Sequence, residues 1–336
     1  MAKTLRIAEP PLERFKALYA ALERDRRWWR DSRRLRYAAM SAIACKGEAT
    51  EVAQGIRAMG KALEKECPWH WGINSHVQFI VSALLLQNGD SAKRFIKELV
   101  RVRKLFRREK LQRGLQFELL AVLILRIQAG GKAISQTTVR RFKTLYEEMK
   151  RHHRFLTGPD DFPACAILTG QPGRPRKILE DIESIYQELR KHKFARGNWM
   201  QTAANIMYLA DGTARAVAGR AGALKAEFRK RKVRIHESDY SEVAMLSLLD
   251  LPSRVVVARV MQIREALDEV RPKIDRETKF DLAVAITYLY LAPPRVQSTS
   301  LNAKTMVDVQ SIVAAQQAAL IACAGAATVM VATSSS

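Results

Sequence analysis

Tyr146-Glu147-Glu148-Met149-Lys150-Arg151-His152 and Tyr186-Gln187-Glu188-Leu189-Arg190-Lys191-His192 are one segment written twice, forty residues apart and without a gap. Steps of forty back from Phe280 reach Tyr240 and Met200 and then, past an Asp160 that breaks the row, Leu120, Ile80 and Met40. A second row, four places on, keeps the register: Val284, Ala244, Ala204, Ala164, Ile124, Leu84 and Ala44. Positions i and i+4 share one helical face, so the recurrence predicts stacked helical hairpins rather than one closed core.

The breaks between the rows divide the chain into about seven such units. Helices around Leu12–Leu22 and Leu35–Cys45 form the first, and Val52–Leu63 with Val77–Leu86 the second. The third pairs Ala92–Phe106 with Leu115–Ile127 and closes at Gly130-Gly131. Gly170-Gln171-Pro172-Gly173 separates the fourth from the fifth, and Asp211-Gly212 closes the fifth. A seventh, Val260–Leu267 with Phe280–Leu291, stops at Pro293-Pro294, where a helix cannot easily continue. Asp161, Asn198 and Asp239 precede second helices and are of the type that satisfies the free amides of a first turn. The expected fold is all-α, a right-handed α-solenoid-like array over residues 5–294, in the manner of tetratricopeptide or HEAT arrays. An Ala- and Ser-rich C-terminal helix and tail follow over residues 295–336.

Composition narrows the partners. The 336 residues carry 57 Lys and Arg against 34 acids, a formal charge of +23. That field attracts nucleic acid, anionic lipid or an acidic protein. Cys45, Cys67, Cys165 and Cys323 form no CxxC pair, which fits reduced thiols in a cytoplasm. No secretory leader is read at the N-terminus. Residues 309–332 are apolar but dominated by small residues, so packing on the last hairpin is expected ahead of membrane association.

The stretch Lys150-Arg151-His152-His153-Arg154-Phe155-Leu156-Thr157-Gly158-Pro159-Asp160-Asp161, followed by Lys193-Phe194-Ala195-Arg196-Gly197-Asn198-Trp199-Met200-Gln201-Thr202, resembles a bacterial family known as domain of unknown function 4003. The resemblance covers nearly the whole chain and implies a helical protein without an assigned role. One departure stands out: where the family pattern leads to a histidine, this chain has Asn205.

Two constellations carry candidate chemistry. Arg151, Lys191, Arg231 and Arg271 stand at intervals of forty near the ends of first helices, with Arg108 beside the same row. Stacking would align them as a ridge able to track an acidic peptide or phosphates, although cations at a helix C-terminus also complement its dipole. The second comprises His152, His153, Asp160, Asp161 and His192, with His236 and Asp239 further off. Histidine and aspartate are competent ligands for zinc, manganese or iron, and the register would bring His152 near His192. Trp28, Trp29, Trp69 and Trp71 sit among arginines in bends, where aromatics cap a core or stack bases.

No Walker loop, dinucleotide fingerprint or nucleophile elbow is present, and no cofactor is expected. The sequence therefore points to a cytoplasmic binding scaffold engaging an acidic protein or peptide. RNA binding is the alternative, and a metal-dependent enzyme using His152, His192, Asp160 and Asp161 a further one.

Overall fold

A computed structural model describes residues 10–24, 32–67, 75–152 and 156–292. Among the described residues there are fourteen α-helices and no strand. They run α1 (Pro11–Glu23), α2 (Ser32–Ser41), α3 (Ala49–Glu66), α4 (Ser75–Gln87), α5 (Ala92–Arg108), α6 (Gln116–Gln128) and α7 (Gln136–His152). The second half comprises α8 (Phe162–Thr169), α9 (Pro175–Lys191), α10 (Asn198–Met207), α11 (Ala214–Lys230), α12 (Tyr240–Ser247), α13 (Ser253–Ala266) and α14 (Arg276–Leu291). Trp28, Trp29, Trp69, Trp71, His153 and the tail from residue 293 lie outside the described residues. None of the described helices is long and apolar enough to cross a membrane.

The periodic rows fall on the even-numbered helices. Met40, Ile80, Leu120, Met200, Tyr240 and Phe280 are all buried there, as are Leu84, Ile124, Ala204, Ala244 and Val284. Asp160 breaks the row because α8 begins only at Phe162, leaving Asp160 in the 3-10 turn before it. In each pair from α1 to α12 the odd-numbered helix is the longer, and it is two-faced: α5 buries Phe95, Leu99, Val102 and Phe106, turns Lys93, Lys97 and Lys104 outward, and lends Arg103 and Arg107 to the buried Glu118 of α6. Such a stripe is what a helix covered on one side requires.

Helix ends are fixed locally. Ser91, Thr213 and Asp275 accept the amides of Arg94, Ala216 and Thr278, capping α5, α11 and α14. After α5, α9 and α11 the chain reverses through Lys110, Lys193 and Lys232, whose φ angles of 58, 59 and 60° are left-handed. The next residue in each case, Leu111, Phe194 or Val233, returns its amide to the helix and buries its side chain.

The helices pack in an up-down succession. Each odd helix lies against the even helix that follows it, and odd helices touch odd ones from α1 through α13. The even helices touch in the order α2, α4, α6, α8, α10, α12, α14, and α14 then lies against α2 and α1. An open array has two free ends; here the first and last hairpins cover each other. The seam is polar as well as apolar. Arg36, 2% exposed, donates to the carbonyls of Pro272 and Lys273, Tyr37 donates to Asp281 Oδ2 at 3.0 Å, and Lys16 pairs with Glu269 at 2.9 Å. One apolar core runs from Leu12 to Leu289.

Candidate functional site

In an up-down succession the C-termini of the odd helices and the N-termini of the even ones share one end. Arg108, Arg151 and Lys191 close α5, α7 and α9, Arg231 follows α11 directly, and Arg271 lies beyond α13. All five expected ridge cations are exposed. Arg151 pairs with Glu148 at 2.7 Å and Lys191 with Glu188 at 2.5 Å, and Arg231 stands 3.7 Å from Glu227. Arg271 donates to the carbonyls of Asp268 and Val270. Exposed pairs of this kind are worth about 0 to 1 kcal/mol, so an outside anion can compete for the cations. Even-helix N-termini at the same end add the positive pole of each helix dipole.

Other cations are consumed inside the fold. Arg14 donates to the carbonyls of Cys45 and Gly47, Arg141 to those of Thr169 and Gln171, and Arg220 to those of Ser247 and Asp211. All three reach from an odd helix to the C-terminal end of an even one, the end opposite the ridge. Composition could not separate these fasteners from cations free to meet a partner.

His153 lies outside the described residues, and the described members of the histidine and acid constellation are not brought together. Among the described residues no group of three or more His, Cys, Asp and Glu side chains is placed to hold a metal ion. His152 ends α7 in solvent. His192 turns toward α11, so that a Cβ on Gly222 would stand 2.5 Å from its Nδ1. That is the neighbour of α9 opposite to α7, and equal register in two hairpins does not make two side chains meet. Asp161 and Asp239 do not cap forward as expected. Each accepts an amide three residues back, Gly158 and His236, and closes a 3-10 turn before its helix. Asn198 makes no cap bond, because Gly197 holds the cap position.

Polar groups inside the even helices are the feature sequence reading missed. Gln201 Oε1, both side-chain polar atoms of Asn205, Glu242 Oε2 and Thr287 Oγ1 are buried without a hydrogen-bond partner among the described residues. Most buried polar atoms in folded proteins do have one. Asn205, at the position where the family pattern leads to a histidine, is 5% exposed. Glu242 and Asp281 lie on adjacent helices and repel each other. Burial first and that repulsion second hold the Glu242 carboxyl well above the usual range. Burial likewise pushes Asp281 up to about 7, against the hydrogen bond from Tyr37. The signal in the sequence was a carboxylate in the first turns of two largely apolar segments, Tyr240-Ser241-Glu242-Val243-Ala244-Met245 and Phe280-Asp281-Leu282-Ala283-Val284.

Comparison with known proteins adds kinship without chemistry. The family model described as "Protein of unknown function (DUF4003)" matches residues 18–318. Among curated proteins, the chain is similar to the uncharacterised protein YeaA of Bacillus subtilis (strain 168), 24% identical over 258 residues and covering 74% of each chain. No solved structure matches it.

Proposed function

This chain belongs to the DUF4003 family of proteins of unknown function, and we propose that it is a binding protein whose seven hairpins form a closed solenoid with one cationic rim. The rim engages an acidic protein or peptide. One observation carries this reading: Arg108, Arg151, Lys191, Arg231 and Arg271 are exposed at the end where the even helices begin. Cations and helix N-termini then act in the same direction on an anion. A closed succession also gives a partner a curved edge to follow, with the spacing of the hairpins repeated along it.

The test is fluorescence anisotropy with a labelled poly-glutamate peptide and with a homopolymeric RNA, each over a range of salt. The peptide is expected to bind with affinity that falls as salt rises. The Arg108→Glu, Arg151→Glu, Lys191→Glu variant is expected to lose at least about tenfold, since every 1.4 kcal/mol is tenfold. Undiminished peptide binding by that variant overturns the rim. RNA bound more tightly than the peptide, with the steep salt slope of phosphate contacts, assigns the rim to nucleic acid instead.

A further inference from the structure

A cleft of about 260 Å³ opens between the last two hairpins, lined by Arg234, His236, Ser238, Asp239, Arg264, Arg276 and Glu277 over a floor of Val233 and Phe280. Three arginines reach it from three different elements. Arg234 stands in the chain before α12, Arg264 on α13 and Arg276 at the start of α14. None of the three makes a hydrogen bond or an ion-pair contact among the described residues. This contrasts with Arg14, Arg36, Arg141 and Arg220, which are spent on carbonyls elsewhere. Arg276 attracts Asp239 and Arg264 attracts Asp268 without a hydrogen bond, and guanidinium groups whose donors are free around one concavity fit a compact anion, their planar forks matching phosphate oxygens two at a time.

The two carboxylates set the rest of the ligand. Asp239 accepts the amide of His236 at 2.7 Å through one oxygen, which leaves the other as an acceptor, and Glu277 is exposed at the mouth. Acceptors beside an arginine cluster repel a bare polyanion and favour a molecule that also presents hydroxyl donors. Phe280, held edge-on by Phe228 at 5.5 Å between ring centroids, supplies an apolar floor. Small-molecule sites commonly enclose about 300–1,000 Å³, so this cleft takes a ligand of single-ring size. We infer that the cleft between the sixth and seventh hairpins binds a phosphorylated monosaccharide. The arginines take the phosphate, and Asp239, Glu277 and Ser238 take the hydroxyls. The cleft lies at the same end as the rim but uses none of the five ridge cations.

Calorimetric titration of the full chain with glucose 6-phosphate, glucose and inorganic phosphate separates the two halves of the ligand. Glucose 6-phosphate is expected to bind at one site, and each half alone at least about tenfold more weakly. Arg264→Gln with Arg276→Gln should lose at least about tenfold in affinity with an unchanged helical spectrum and cooperative melting, because Arg276 is exposed and Arg264 half-exposed. Glu277→Gln should weaken the ester and not inorganic phosphate. The Arg108, Arg151, Lys191 reversal should bind the ester as the native chain does. Absence of binding by the native chain, or equal binding by the folded arginine double variant, overturns the site. Inorganic phosphate binding as tightly as the ester overturns the monosaccharide assignment.

Discussion

Asp161 and Asp281 are carboxyl groups that the fold holds far from water. Burial pushes Asp161 up to about 7, with Asp160 adding repulsion, and Asp281 reaches about 7 for the same leading reason. In the unfolded chain each would sit near 3.9. The folded chain therefore binds more protons than the unfolded one between those values, and the stability each site contributes falls as pH rises from about 4 to about 7. Asp161→Asn and Asp281→Asn keep the accepting oxygen and remove the titration. Urea melts between about pH 5 and about pH 8 should show Asp161→Asn losing roughly 2–3 kcal/mol less than the native chain over that interval, and Asp281→Asn also losing less. Equal losses would contradict the assignment. Asp161 was legible in the sequence as a residue before a helix, but not its direction, because the 3-10 turn that makes it look back to Gly158 has no signal of its own.

The hairpin as an element was written plainly in the sequence. Rows at i and i+4 identified the even helices, and burial of Met40, Ile80, Leu120, Met200, Tyr240 and Phe280 on them bears that out. What ended the odd helices was harder to read. Glycine is the residue expected in a left-handed helix terminus, yet Lys110, Lys193 and Lys232 hold it, each followed by a buried apolar residue. The left-handed region costs an L-residue about 1–2 kcal/mol, offset here by burial of Leu111, Phe194 and Val233. Lys110→Gly should accordingly raise the unfolding free energy by about 0.5–1 kcal/mol; a decrease would show that the lysine side chain itself holds the turn. At the opposite ends of the hairpins, Arg141 closes the carbonyls of Thr169 and Gln171 at 3.0 and 2.7 Å. Arg141→Ala leaves those groups without their donor and is expected to cost about 1–3 kcal/mol in thermal or urea unfolding. A periodic sequence shows that an arginine recurs, not whether it faces a carbonyl or a partner.

At the scale of the whole molecule, the contact between chain ends is what a forty-residue period cannot announce. The period fixes how one hairpin meets the next; the small rotation at each step, summed over seven, decides whether the last meets the first. Arg36 is the buried centre of that seam, and Arg36→Met is expected to cost about 1–3 kcal/mol by stranding the carbonyls of Pro272 and Lys273. The proposed rim and the proposed cleft both lie where odd-numbered helices end and even-numbered ones begin. The most direct measurement is zero-length carbodiimide cross-linking of the native chain at low protein concentration, read by peptide mass spectrometry. Lys16 and Glu269 lie 2.9 Å apart across the seam, and Lys177 and Asp181 lie 2.7 Å apart within α9. The closed arrangement predicts that both pairs are joined within one molecule. Recovery of the Lys177 to Asp181 product without the Lys16 to Glu269 product would contradict it.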